Sequence, residues 1–335
     1  MIYNSFDNPG LVKVLKFLQT HNTEYLSGQD LSDVLRISRV AVWKHIKKIQ
    51  ELGYTVESKQ KLGYKLISNS NTLLPWEITT GLKTKNIGQR AYFFDSIDST
   101  QNQALKMADN HENDGSIIIA EKQTEGKGRS GRRWESPKGG IWFSIILHPK
   151  FDISITTLFP IASSLALSIA IEKIFKISPE LKWPNDLTIE GKKLAGMIVD
   201  VSLESNKIES LVLGVGINFN VDVKQIEKSL KGTPNFYGVV SLYEQKNNIK
   251  PLQLVQTFLI ELEKIYELLN TKQIKKIIVE WTKRSSTIGK NVELSTIDGK
   301  IKGKAIKIDE DGALVVSSNN KPIRIIAGDI THVSK

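Results

Sequence analysis

The sequence predicts a multidomain α+β protein built from an amino-terminal winged helix-turn-helix, a central mixed sheet flanked by helices, and a small carboxy-terminal β-barrel. Three observations carry that expectation. Helical apolar stripes followed by two short alternating segments open the chain. Apolar strand-like runs alternate with helical segments through the middle. The tail is a series of short strands broken by turn dipeptides. The corresponding boundaries are 1–68, 69–285 and 286–335.

Periodicity defines the first part. Leu11, Val14, Leu15 and Leu18 mark one face of a first helix. Ser27 can cap a second, with Asp30 three residues on and Leu31, Val34 and Leu35 expected to face inward. A tight Arg36-Ile37-Ser38 connection leads to a third helix, capped by Ser38, buried along Val42, Ile46 and Ile49, and ended by Gly53. Its opposite face carries Arg39, Trp43, Lys44, Lys47 and Lys48. Tyr54-Thr55-Val56-Glu57 and Gly63-Tyr64-Lys65-Leu66-Ile67 then read as a hairpin across the polar turn Lys59-Gln60-Lys61. In such a layout the third helix enters the major groove and its first turn reaches base edges. Arg39, Val40 and Lys44 are the candidates there, with Lys47 and Lys48 on the same helix and the wing lysines Lys59 and Lys61 on phosphates. From Ser38 to Lys65 seven basic residues face two acidic ones. A basic helix beside a basic wing favours DNA over a merely solvated cationic face. Ser68-Asn69-Ser70-Asn71-Thr72 has the composition of a linker.

Beyond it, Phe93-Phe94, residues 116–120, 141–147, 197–199 and 211–214 read as strands. Pro160 opens a helix with the stripe Ala162, Leu165, Ala166, Ile169 and Ala170, and Pro251 opens another through Leu252, Val255, Phe258, Leu259, Leu262 and Ile265. From Gly289 the strands are short and split by Asp298-Gly299, Asp311-Gly312 and Asn319-Asn320.

Bulk properties narrow the function. A chain of 335 residues with 40% hydrophobic and 24% charged content is ordinary for a globular protein. It contains no apolar run long enough for a bilayer, and its first residues lack the layout of a signal peptide. Without cysteine there is no thiolate nucleophile or thiolate metal site, which fits the cytoplasm. The five histidines are scattered, and the net charge of +10 favours anionic partners.

Two stretches carry chemistry. Residues 126–134 place Lys127, Arg129, Arg132 and Arg133 in a glycine-punctuated loop. It has neither the ending of a Walker loop nor the setting of a Rossmann fingerprint. Arginines offer paired donors for phosphate or carboxylate. Such a loop should repel itself when empty and settle on an anion, the alternative being a mobile surface loop. Lys182-Trp183-Pro184-Asn185-Asp186 ends a strand with a lysine placed to neutralise a carboxylate and an attacked phosphate, or else a plain edge lysine. Ser99 can cap a helix whose first N–H groups bind an anion. Gly214-Val215-Gly216-Ile217-Asn218 brings an amide to a strand end. Asp186 is as readily a cap as a metal ligand, so the metal ligands are left unassigned.

Taken in order with Gln123 and Lys193-Leu194-Ala195-Gly196, these motifs resemble the biotin–protein ligase family, and with the winged helix its bifunctional members that also repress the biotin operon. The resemblance spans essentially the whole chain. It implies a class II synthetase-like central domain and an SH3-like tail, either structural support or a direct part of catalysis. It implies that biotin and ATP, with Mg2+, give biotinyl-5′-AMP, and that biotin then passes to a lysine of the biotin carboxyl carrier protein of acetyl-CoA carboxylase. It further implies catalytic roles for Lys182, Arg129 and Arg132. A biotin and adenylate pocket would be formed by Ser99, Thr100, Gln101, Gln123, Lys127, Gly128, Arg129, Lys182 and Asn218. Adenylate would act as corepressor, promoting a homodimer on operator DNA. Where the family commonly has asparagine after the serine-threonine pair, this chain has Gln101, which bears on biotin affinity. The alternatives are a ligand-sensing regulator without ligase activity, and a ligase with an idle winged helix.

Overall fold

The computed structural model describes residues 2–4, 8–233, 236–245, 250–296 and 299–332. Helices α1 (Pro9–Thr20), α2 (Gly28–Leu35) and α3 (Arg39–Glu51) pack on Leu11, Val14, Leu15, Leu18, Leu31, Val42, Ile46 and Ile49, as the periodicity requires. Ser27 accepts from the Asp30 amide and Ser38 from the Ala41 amide. Val34, expected inward, is 57% exposed: α2 has only two turns, and Leu31 with half-buried Leu35 already covers its inner face.

The helical unit is tied to the central sheet. Strand β1 (Ile2–Asn4) leaves the helical unit and pairs antiparallel with β4 (Ala91–Phe94) of the central sheet, Tyr3 opposite Phe93. The wing, β2 (Thr55–Lys59) and β3 (Gly63–Ser68), forms its own two-stranded ladder. The expected linker is docked, since Ser70 is buried and its hydroxyl donates to the Leu52 carbonyl at 2.8 Å. Helix α4 (Pro75–Thr79) follows directly.

The central sheet has the order β1-β4-β5-β6-β10-β9-β8-β7, comprising β5 (Ile117–Ala120), β6 (Ile141–Leu147), β7 (Glu180–Lys182), β8 (Asp186–Ile189), β9 (Lys192–Glu204) and β10 (Lys207–Ile217). Among the described residues, β4 and β5 are the one parallel ladder between named strands of this sheet. Helix α5 (Thr100–Ala108) covers one face with Ala104 and Ala108 against Ile118, Ile146 and Val212. Helices α6 (Phe159–Phe175) and α9 (Pro251–Asn270) cover the other, where Ile117, Ile119, Ile145 and Leu213 point. Burial on both faces explains why β5 and β6 read as continuous apolar runs. Helix α6 is buried nearly all round, so its stripe is not amphipathic. Ser163 and Ser164 there donate back to the Phe159 and Ile161 carbonyls, both at 2.8 Å. Short helices α7 (Val223–Leu230) and α8 (Leu242–Gln245) follow β10, and α10 (Ile274–Lys283) packs on α6.

The tail is a five-stranded antiparallel sheet of β11 (Asn291–Thr296), β12 (Gly299–Ile308), β13 (Leu314–Ser318), β14 (Lys321–Ile325) and β15 (Asp329–His332), in the order β14-β13-β12-β11-β15. Among the described residues its pairings form an open ladder rather than a closed ring. Asp298, expected in the first turn, lies outside the described residues. The sheet is stitched to β7: the Ser286 amide donates to the Leu181 carbonyl, and the Trp183 amide and indole donate to Thr287 and to the Gly312 carbonyl.

Candidate active site

A cavity of about 320 Å³ opens between β6, β9 and β10, the loop of residues 126–134, β7 with its exit, and the segment after α7. It brings together Ser99, Thr100, Gln101, Gln123, Lys127, Gly128, Arg129, Arg132, Lys182 and Asn218. Sequence separation between these residues reaches more than a hundred positions, and the sheet order closes it.

One wall is polar and buried. Ser99 caps α5, accepting from the amides of Gln101 and Asn102. Gln123 Oε1 accepts from the Thr100 amide at 2.7 Å and lies 3.0 Å from Thr100 Oγ1, while its Nε2 donates to Ser136 at 2.8 Å. Thr100 Oγ1 and Ser144 Oγ are 2.9 Å apart, and Ser144 Oγ lies 2.9 Å from Gln101 Oε1. A line of three oxygen–oxygen contacts thus ends in an acceptor at each side and holds two hydroxyl protons. One contact lacks a proton, so the wall suits a ligand that brings N–H donors. Gln101, whose length was the sequence-level departure, gives its amide oxygen to the wall and turns its amide nitrogen away from the cavity. Its Nε2 donates to Asp200 at 2.9 Å and to the Val212 carbonyl at 3.0 Å.

The opposite wall is cationic. Lys182 is 8% exposed, and its Nζ stands 3.3 Å from the centroid of the Tyr237 ring. Burial pulls this ammonium down to about 8, against the opposing field of Asp186. Asp186 accepts from the Tyr237 hydroxyl at 2.6 Å and lies 2.7 Å from Lys193 Nζ. Burial also lowers Arg129 from the ordinary arginine value, opposed by Asp329 and Asp186. The expected self-repulsion of the loop is relieved in part, by two ion pairs and one hydrogen bond to a neutral amide. Arg129 donates to Asn185 Oδ1 at 3.1 Å, Arg132 pairs with Asp329 of β15 at 2.8 Å, and Arg133 with Glu135 at 3.3 Å. The Gly128 amide donates to the Arg132 carbonyl, which closes the loop on itself.

Between the walls lies Trp134, flat against small residues. A methyl group added at Gly216 would sit 2.5 Å from the indole nitrogen, and one at Gly196 would sit 3.1 Å from the ring. Asn218 is buried beside it, its amide and side chain donating to the Leu194 and Lys193 carbonyls. Trp134, Tyr237, Asn185, Ser144 and Asp329 line the cavity without having been singled out as site residues. For Trp134 the signal was legible, because a tryptophan closing a basic loop pairs naturally with glycines alternating along a strand. For Tyr237 and Asp329 no local signal existed.

A second cleft lies between α3 and the wing, lined by Arg39, Val40, Trp43, Lys59 and Lys61. Lys44 and Lys47 are exposed on the same helix. Lys59 is shared with Glu57 at 3.3 Å and with the Tyr25 ring. Lys48 stands apart: it is half-buried, 3.1 Å from Glu51 and 5.8 Å from the Tyr3 ring, on the side of α3 that meets β1.

Comparison with known proteins agrees with this geometry. Residues 93–218 match the biotin/lipoate A/B protein ligase family, residues 11–65 an HTH domain, and residues 287–333 the biotin protein ligase C terminal domain. The bifunctional ligase/repressor BirA of Bacillus subtilis is 35% identical, covering 94% of this chain and 95% of that protein. The protein of the same name in Escherichia coli is 28% identical over 93% of this chain. A biotin protein ligase from Aquifex aeolicus, solved with biotin and ATP, superposes with a TM-score of 0.61 at 26% identity, covering 75% of this chain and all of that one.

Proposed function

The chain belongs to the family of bifunctional biotin ligase/repressors, and we propose that it activates biotin with ATP, transfers it to the biotin carboxyl carrier protein of acetyl-CoA carboxylase, and represses the biotin operon. The observation that carries the ligase reading is one cavity with a donor-short polar wall facing buried Lys182 and half-buried Arg129. The ureido ring of biotin brings N–H donors to Thr100, Ser144 and Gln123, and its carboxylate then points toward the cations.

In the first step a carboxylate oxygen bonds to the α-phosphorus of ATP, the bond to the pyrophosphate oxygen breaks, and pyrophosphate leaves. Lys182 steadies the carboxylate and the charge growing on the phosphorus oxygens, in a site where burial strengthens that interaction. Arg129 holds the adenylate, and Arg132 adds charge and keeps the loop shut. Closure by residues 126–134 shields the mixed anhydride from water. In the second step the ε-amine of the carrier lysine attacks the acyl carbon, loses a proton, and AMP departs.

Magnesium, when bound with the nucleotide, would neutralise the ATP phosphates. Among the described residues no cluster of three histidine, aspartate or glutamate side chains forms a cage. The carboxylates in the cavity, Asp186, Asp329 and Glu135, are each paired with a cation. That fits an ion carried in by the nucleotide, the usual arrangement for magnesium.

For repression, Arg39, Val40 and Lys44 read bases while Lys47, Lys59 and Lys61 meet phosphates; Lys48 does not belong to this set. Strand β9 is laddered by β8 only from Lys192 to Gly196. The rest of that edge, from Ile198 onward, has no ladder partner among the described residues. It is the surface on which an adenylate-loaded second copy, or the carrier protein, would add strands. No described helix is long and apolar enough to cross a membrane, and we place the protein in the cytoplasm.

The decisive test is biotin-dependent ATP–pyrophosphate exchange. The wild type should exchange strongly, Lys182→Ala should lose nearly all activity, and Arg129→Ala should release adenylate faster. A folded wild type without exchange would leave only a ligand-sensing regulator.

A further inference from the structure

The innermost amide of the ligand wall is held from outside the cavity. Gln101 is 2% exposed, yet its Nε2 reaches Asp200, an exposed residue of β9 well beyond the stretch of that strand covered by β8. Both acceptors of Nε2, a carboxylate and the Val212 carbonyl, can only accept. The orientation of the amide is therefore settled: nitrogen outward to Asp200, oxygen inward to Ser144. Rotating it would set Oε1 against two acceptors and turn a donor on Ser144. The path is narrow as well, since a methyl group at Gly214 would meet Gln101 Oε1 at 2.5 Å and Ile198 at 2.7 Å.

We propose that Asp200 is a positioning residue for the biotin end of the pocket, acting through Gln101 to fix which way the Ser144 and Thr100 hydroxyls present themselves to the ligand. Inside the wall the Ser144 hydroxyl has two acceptors within reach, Gln101 Oε1 and Thr100 Oγ1. As long as Asp200 keeps Oε1 pointing inward, Ser144 donates to it, and the shortage of protons falls on the Thr100 side, where the ligand enters. Without Asp200 the amide keeps only the Val212 carbonyl as an outward acceptor, so its orientation, and with it the pattern the wall presents, is held less firmly. The inference rests on biotin as the ligand. It assigns Asp200 no contact with biotin or nucleotide.

The test compares Asp200→Ala, Asp200→Asn and Gly214→Ala with the wild type, by calorimetric titration of biotin and by KM for biotin and for ATP in the exchange assay. Loss of one charge-assisted hydrogen bond predicts a roughly tenfold weaker biotin Kd in Asp200→Ala, with KM for ATP unchanged. Asp200→Asn should recover most of the affinity, because its Oδ1 still accepts, and Gly214→Ala should mimic the alanine variant by displacing Gln101. Equal weakening for biotin and ATP, or biotin affinity in Asp200→Ala matching that of a biotin-binding wild type, overturns the proposal. A wild type that binds no biotin overturns the functional reading and this inference together.

Discussion

Arg132 and Asp329, separated by almost two hundred positions in sequence, form an ion pair of 2.8 Å that latches the basic loop to the last strand of the carboxy-terminal sheet. The Asp329 charge also opposes the downward pull of burial on Arg129 and Lys182. The tail is thus part of the site's electrostatics as well as a support for β7.

Asp329→Ala should therefore loosen the loop. Both partners are partly exposed, 45% and 32%, so the pair contributes no more than about 1 kcal/mol. That corresponds to a few-fold effect. Trypsin, which cuts after arginine, should nick the 126–134 loop several times faster in the variant than in the wild type at equal global stability. Identical cleavage would mean that the loop is held by its own turn and Asn185.

Lys182 should make the free enzyme sensitive to alkali. With its ammonium at about 8, kcat/KM for biotin activation should fall as pH rises through that value. The limb in kcat should lie higher, because bound anions favour the cation. The stability sign is opposite. The unfolded lysine titrates near 10.5, so between 8 and 10.5 the unfolded state binds more protons and stability rises with pH. Below pH 8 the buried charge costs about 3 kcal/mol at most. Lys182→Met, inactive in exchange, should raise Tm at pH 7 and lose that advantage by pH 10.5. A variant less stable than wild type at neutral pH would contradict the burial argument.

Trp134 lies apart from the Thr100–Gln123 wall, against Gly216 and Gly196, and we take it as the seat of the nucleotide, which gives a prediction. Gly216→Ala places a carbon 2.5 Å from the Trp134 indole nitrogen, and overlap of that kind in a packed site costs about 1–3 kcal/mol. The ring should swing out, raising KM for ATP by tenfold or more while the Thr100–Gln123 wall keeps its biotin affinity. A biotin defect as large as the ATP defect would show that the two ends of the cavity do not act separately.

The parts of this architecture that were legible in the sequence are those whose cause is local. The stripes Leu11–Leu18 and Val42–Ile49 and the caps Ser27 and Ser38 announce helices whatever they pack on. Ile141–Leu147 announces a strand buried on both faces. Lys182 and the Arg129 loop were readable because cations beside glycine and proline have few structural reasons to cluster. What was not legible depends on distant partners. Three residues at the start become β1 only because β4 offers an edge some ninety positions later. Strand β8 and helix α10 exist in contexts their short patterns do not specify. Val34 fits the inward period yet faces solvent because a two-turn helix needs only part of its stripe. Tyr237 and Asp329 reach Lys182 and Arg132 from other elements, and no motif surrounds either.

The last prediction concerns Tyr3, which joins the DNA-binding unit to the ligase sheet. Its ring is 7% exposed, stacks on Phe93 at 6.4 Å, meets Trp76 edge-on at 6.2 Å and lies 5.8 Å from Lys48 of α3. Tyr54 of the helical unit donates to Glu77 of α4 at 2.5 Å and accepts from Trp76, adding a second tie. Tyr3→Ala removes a buried aromatic, worth about 3–5 kcal/mol where the site cannot collapse. That loss falls on the seam between domains rather than on the active-site cavity. Biotin-dependent exchange should stay within about twofold of wild type, while operator affinity in the presence of adenylate falls by tenfold or more. In calorimetry the helical unit should melt ahead of the ligase domain. If operator binding and the melting profile were both unchanged, β1 would be a decoration of the sheet edge and the position of α3 would rest on Tyr54, Trp76 and Glu77 alone.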